Sequence, residues 1–145
     1  MRPAWTVLVV DDHPELRRLV KTILDVGGLQ IVGEAADGSE ALDLCRALNP
    51  DIVVLDIAMP VMDGIVAAGL IKKSCARTNI VLLSVHDDAD SVIKGVNAGA
   101  MGYVVKKNAA FSLIPAIEAV QRGETFICEK IQPQVREAAA ARRTG

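Results

Sequence analysis

The chain has 145 residues, one domain's worth, enough to bury about two-thirds of the surface that its unfolded form exposes. Half of it is apolar (51%) and only 3% is aromatic, so a core must be built from Val, Ile, Leu and Ala, and disordered or collagen-like structure is excluded. A net charge of −2 offers no general attraction to nucleic acid or anionic lipid.

Cys45, Cys75 and Cys128 lie far apart with no CxxC pair, which points to reduced thiols in a cytoplasm rather than to disulfides or zinc. Met1 to Trp5 runs straight into a short apolar segment, so neither a signal peptide nor a membrane span is expected.

Thr6 to Val10 is a continuous β-branched and apolar run, too short for a helix and patterned for a strand covered on both faces. Leu16, Leu19, Val20, Ile23 and Leu24 then recur at spacings of three and four, predicting a helix with one apolar face that stops at Gly27-Gly28. Leu29 to Ala35 is the second strand. Ala41, Leu44, Cys45 and Leu48 mark the inner face of a second helix ending before Asn49-Pro50. Asp51 to Asp56 is the third strand, followed by a helix from Asp63 to Cys75, a strand from Asn79 to Ser84, a helix from Ala89 to Asn97 and a strand from Met101 to Val105. The fifth helix is predicted to start at Ser112 as its cap, with Pro115 in the first turn, and to end at Gly123.

Strict alternation with short connections predicts an α/β fold. It is a flavodoxin-like (βα)5 doubly wound sheet of five parallel strands in the order 2-1-3-4-5. In such a sheet the functional crevice lies beyond the carboxyl ends of the strands. The first strand ends in Asp11-Asp12, the third in Asp56, the fourth in Ser84, and Lys106 follows the fifth. Helix capping accounts for Asp12, with Pro14 and Glu15 behind it, but not for Asp11 and Asp56 as well.

Three carboxylates at one edge repel each other by up to about 4 kcal/mol per close pair at an effective dielectric of 20, so a positive partner belongs there. Mg2+ suits a few carboxylates with room for water and phosphate oxygens, and zinc does not, because no His or Cys cluster accompanies the acids. Asp56, on the central strand, reads as the nucleophile of a phosphoryl transfer. Asp11 and Asp12 would hold the metal, Ser84 would bond a phosphate oxygen, and Lys106 would pair with the phosphoryl group.

These residues, with Met59-Pro60, Met62-Asp63-Gly64 and Tyr103-Val104-Val105-Lys106, resemble the receiver domain of two-component response regulators over about residues 6–123. The resemblance implies that Asp56 takes a phosphoryl group from the phosphohistidine of a sensor histidine kinase, with Mg2+ on Asp11, Asp12, Asp56 and the backbone carbonyl of Ala58. Such a domain is a signalling phosphoacceptor that catalyses only its own phosphorylation and dephosphorylation. The resemblance further implies a switch in which Ser84 moves toward the phosphate and Tyr103 turns inward. Asp11-Asp12-His13-Pro14 and Ala98 to Tyr103 are similar to the NarL/FixJ subfamily, whose members usually continue into a LuxR-type DNA-binding domain and often dimerise, which phosphorylation would favour. On this reading residues 1–123 are the receiver. Residues 124–145 are a short helix or interdomain linker, with too few basic residues and no recognition helix for DNA contact.

Lys107 stands where many receivers have a proline, so a trans bond after Lys106 is expected. Ala58 and His86 occupy the two positions that tune dephosphorylation in the family. Ala58 has no polar side chain to orient a water, which predicts a slow loss of the phosphoryl group. His13 reads as a helix-start residue, and Asp87-Asp88-Asp90 as the solvated start of helix four. Arg17, Arg18 and Lys21 form a wet face on helix one, near which the family docks its kinase.

Competing functions fit less well. A phosphatase of the haloacid dehalogenase type wants a second acid where Ala58 stands, and a flavin carrier wants a Ser/Thr- and Gly-rich phosphate loop where Asp11-Asp12 stands. The remaining alternative is a phosphorylation-independent receiver that serves for docking or dimerisation.

Overall fold

The computed structural model describes residues 4–59 and 61–127. Strands β1 (Thr6–Val10), β2 (Gln30–Ala35), β3 (Ile52–Asp56), β4 (Asn79–Ser84) and β5 (Gly102–Val105) form one sheet in the order β2-β1-β3-β4-β5. Every pairing is parallel, as the alternation requires. Between them run α1 (Pro14–Val26), α2 (Gly38–Leu48), α3 (Gly64–Ser74) and α4 (Ala89–Asn97), and α5 (Ala109–Gln121) follows β5 after a 3-10 turn, Lys106–Asn108.

Successive strand residues point to opposite faces, and the sheet therefore builds two cores. Leu8, Val10, Val53, Leu55, Ile80 and Leu82 pack with Ala41 and Cys45 of α2, Ala67, Ala68 and Ile71 of α3, and Val92 of α4. Val7, Val9, Ile52, Val54, Val81 and Leu83 pack with Val20 and Leu24 of α1 and with Leu113, Ala116, Ile117 and Val120 of α5. Among the described residues no helix is long and apolar enough to cross a membrane.

Three helices start on aspartate caps, each worth about 1 kcal/mol. Asp37 accepts from Glu40 N–H at 2.8 Å, Asp63 from Val66 N–H at 2.9 Å, and Asp88 from Ser91 N–H at 3.0 Å. The acidic run at α4 is thus a helix start, as expected. At the far end of the sheet, Asp51 and Thr6 tie β3 to β1 reciprocally: Thr6 N–H donates to Asp51 Oδ2 at 2.7 Å, and Asp51 N–H donates to Thr6 Oγ1 at 3.0 Å.

The structure corrects several expectations. Helix α5 starts at Ala109, not Ser112, and Pro115 lies inside it. Pro115 is on the exposed face, where the helix carbonyl that loses its donor can face water instead of apolar core. Leu19 and Leu48, placed on inner helix faces by their spacing, are exposed, because the stripe at 3.6-residue spacing is wider than the strip of sheet each helix covers. Beyond Gly123 the chain does not leave the fold at once: Tyr103 N–H donates to Phe126 O and Phe126 N–H to Met101 O, both at 2.9 Å. This single parallel bridge lies against the outer edge of β5. The rest of the predicted tail, residues 128–145, and Pro60 lie outside the described residues.

Candidate functional site

The chain goes from β1 outward to β2 and then returns to β3 on the other side of β1, so the topological switch point falls between β1 and β3. Asp11 and Asp12 follow one of these strands and Asp56 ends the other. Ligand atoms of Asp11, Asp12, His13 and Asp56 all lie within 4.8 Å of one another.

Asp56 and Asp11 are each 1% exposed. Lys106 Nζ sits 2.9 Å from Asp56 Oδ1 and 3.7 Å from Asp11 Oδ2, so its side chain spans the width of β4 completely. Asp56 Oδ1 also accepts from Ala58 N–H at 3.3 Å. Burial pushes the Asp56 carboxyl above the usual carboxylate range, the Lys106 hydrogen bond opposes this, and the charge of Asp11 adds to the rise. Lys106 reaches two of the three acids, and Asp11 Oδ2, Asp12 Oδ1 and Asp56 Oδ2 are buried without a hydrogen-bond partner. Orphaned acceptors on converging carboxylates are the donor set that a hard dication requires, so these residues fit the expected Mg2+.

Local structure explains the placement. Asp11 Oδ1 accepts from His13 N–H at 2.8 Å, and Arg17 Nη1 donates to the Asp11 carbonyl at 2.6 Å, fixing the turn after β1. The cap position of α1 is His13, with no side-chain cap bond, so capping does not account for Asp12. Beneath Asp56, Gly64 opens α3 with its N–H donating to Ile57 O at 2.7 Å. A Cβ on Gly64 would fall 2.2 Å from the Asp56 carbonyl oxygen and 2.7 Å from Ile57 Cα, a clash with backbone that only glycine avoids. Sequence reasoning named Gly64 only as part of a resemblance. Its physical signal, a glycine directly after a helix cap, was present.

On the β4 side, Ser84 is 2% exposed, and its hydroxyl accepts from His86 N–H at 3.0 Å rather than facing Asp56 in a bond. The Tyr103 hydroxyl donates to the His86 carbonyl at 3.0 Å, and the ring is already inside, at 1% exposure. Burial raises the Tyr103 phenol above its ordinary range, with hydrogen bonding to Ser84 opposing it. Ala58, Ser84 and His86 line one cavity of about 400 Å³ with Asp63, Val66 and Lys94. No cis bond occurs among the described residues, as expected after Lys106.

The basic face of α1 is less free than its sequence suggests. Arg17 and Lys21 both pair with Glu34 of β2, at 3.0 and 2.9 Å, and these bonds hold the Glu34 carboxyl below its usual range, Lys21 contributing most.

Comparison with known proteins agrees with this geometry. The profile of the response regulator receiver domain matches residues 7–118. The response regulator UvrY of Escherichia coli K12 is 37% identical over 130 residues, which are 89% of this chain and 60% of that protein. The nitrate/nitrite response regulator protein NarP of the same strain is 34% identical over 134 residues, 92% of this chain and 62% of that protein. The chain therefore spans about three-fifths of the length of these relatives. A LuxR-family two-component response regulator from Aurantimonas sp. SI85-9A1 superposes with a TM-score of 0.85 at 33% identity, covering 95% of this chain and 99% of that one. The signal receiver domain of the response regulator NarL from Mycobacterium tuberculosis superposes with a TM-score of 0.80 at 34% identity, over 85% of this chain and all (100%) of that one. With its strand order, its acidic switch-point pocket and these likenesses, the chain belongs to the response regulator receiver-domain family.

Proposed function

We propose that Asp56 is the phosphoacceptor of a two-component relay, taking its phosphoryl group from the phosphohistidine of a sensor histidine kinase. The observation that carries this reading is Asp56 itself. It is a buried carboxylate with one oxygen held by Lys106 at 2.9 Å and the other without a partner among converging acids.

Asp56 Oδ2 is the free oxygen and acts as the nucleophile. It forms a bond to phosphorus as the P–N bond to the donor imidazole breaks, and the imidazole, protonated on its other nitrogen beforehand, departs neutral with the P–N electron pair. Lys106, already at the pocket, pairs with the charge on the transferred group. Ser84 exchanges its bond from His86 N–H for one donated to a phosphoryl oxygen, which disturbs the loop whose carbonyl holds Tyr103. Asp11, Asp12, Asp56 and the carbonyl of Ala58 would hold Mg2+, which supplies charge neutralisation on the phosphoryl oxygens. Ala58 donates its N–H to Asp56 Oδ1 and shares one cavity with Ser84 and His86, and the absence of a polar side chain at Ala58 favours a long-lived phosphoryl group.

The output is transcription, controlled through a LuxR-type DNA-binding domain outside these residues, with dimerisation favoured by phosphorylation. Support comes from the regulators among the relatives, of which this chain spans three-fifths. Incubation with Mg2+ and a small acyl phosphate is expected to add the mass of one phosphoryl group to the wild type and none to Asp56→Ala. No mass gain, or a gain that Asp56→Ala retains, overturns the proposal.

A further inference from the structure

The imidazole of His13 is the one group in the acidic pocket that the phosphoryl-transfer reading leaves without a role. Its backbone is fixed by two bonds, N–H to Asp11 Oδ1 and carbonyl from Arg17 N–H. Its ring is 68% exposed, so packing does not dictate where it lies. Even so, Nδ1 is 3.0 Å from Asp12 Oδ1 and 3.4 Å from Asp11 Oδ1. Asp12 Oδ1 makes no hydrogen bond despite that approach. With the ring protonated this contact is an ion pair, and with the ring neutral it sets two electron-pair donors side by side. A separation of 3.0 Å is the edge of an octahedron with bonds of about 2.1 Å, the spacing of neighbouring ligands on one small dication. Asp11 and Asp56, each 1% exposed, complete the convergence, one ligand atom from each of the four side chains lying within 4.8 Å of the others.

We propose that His13 is a direct ligand of the pocket's metal, making it a mixed carboxylate-imidazole site that favours first-row transition dications over Mg2+. Three carboxylates alone suit Mg2+. A neutral imidazole adds a nitrogen donor that Co2+ and Ni2+ bind far better than Mg2+ does, in the order expected for N/O sites. This rests on the acidic pocket being the metal site, as proposed above, and it adds the choice of ion.

The test is calorimetric titration of the apo chain at pH 8, above the range in which imidazoles ordinarily take up protons, with MgCl2 and with NiCl2. Wild type is expected to bind Ni2+ more tightly than Mg2+. His13→Ala should weaken Ni2+ about tenfold or more, at least what removing an outer partner of a ligand costs, while changing Mg2+ less than about twofold. With Mn2+ bound, electron spin echo spectra should show the nitrogen modulation of a coordinated imidazole in wild type and His86→Gln, and none in His13→Ala. The chain has two histidines, so these two variants identify the ligand. Unchanged Ni2+ affinity in His13→Ala, equal weakening of both ions, or a modulation that survives His13→Ala overturns the assignment. Asp12→Asn and Asp56→Asn separate the two readings: if neither weakens Mg2+, the pocket itself is not the metal site.

Discussion

Asp56→Asn should make the metal-free fold more stable. At an effective dielectric of 20, Lys106 at 2.9 Å attracts the Asp56 carboxylate by roughly 6 kcal/mol. Asp11 and Asp12 offer oxygens within 4.8 Å, each repelling it by about 3.5 kcal/mol on the same scale. The two repulsions together match or exceed the attraction, and desolvating a carboxylate that is 1% exposed adds a penalty of several kcal/mol. An amide of the same shape removes the charge and keeps an oxygen for Lys106. The expected gain is roughly 1–4 kcal/mol, or on the order of 2–16 °C in Tm. Thermal unfolding in chelator at pH 7 measures it. The pH dependence has a definite sign. Because burial raises the folded-state value, the native protein keeps the Asp56 proton to higher pH than the unfolded chain. Wild-type stability relative to the variant therefore falls as pH rises from near 4 through the raised value, and stays lost above it. The gap between the proteins should be widest near neutrality and close toward pH 4. Mg2+ should also narrow it, by binding the native wild type. An unchanged or lower Tm for Asp56→Asn at pH 7 in chelator refutes the reasoning.

Gly64→Ala forces a methyl against the Asp56 carbonyl and should cost about 1–3 kcal/mol in denaturant unfolding, and should also reduce Mg2+ affinity by displacing Asp56. Asp51→Ala removes the acceptor of the Thr6 bonds at the opposite end of the sheet. A loss of about 1–3 kcal/mol with Mg2+ affinity intact is expected from combined melts and titration, and a changed affinity would contradict the separation of the two ends. The phosphorylated chain, isolated after acyl phosphate treatment, should keep its phosphoryl group for minutes or longer. A half-life of seconds, followed by intact mass, would rule out the role given to Ala58.

Much of the fold was legible because parallel strands buried on both faces read as unbroken apolar runs, and β1, β4 and α4 appear with the predicted ends. Helix α5 was misread because Pro115 has two compatible places, a first turn or an exposed helix face, and only the packing of Ala109 and Leu113 decides between them. The Phe126 bridge could not be read at all, since one residue pair has no period. At the site, Asp11, Asp12, Asp56 and Lys106 were legible as polar residues at the ends of apolar strands, and the structure brings them together. His13 was legible as a helix start, and it takes the cap position of α1; the approach of its ring to Asp12 was not, because that depends on where Asp11 anchors the turn. Zinc was set aside because no His or Cys cluster accompanies the acids, and the described pocket holds a single imidazole among three carboxylates.

The bridge between Phe126 and β5 has a consequence for solubility. β5 is an outer strand of the sheet, and its Tyr103 N–H and the preceding Met101 carbonyl would otherwise be open to another chain. Unpaired strand edges act as templates for intermolecular pairing. By lying against that edge, Phe126 covers its Tyr103 N–H and the Met101 carbonyl. A chain shortened at Gly123, just past the end of α5, would keep every residue of the acidic pocket and still expose a seam along which molecules can stack.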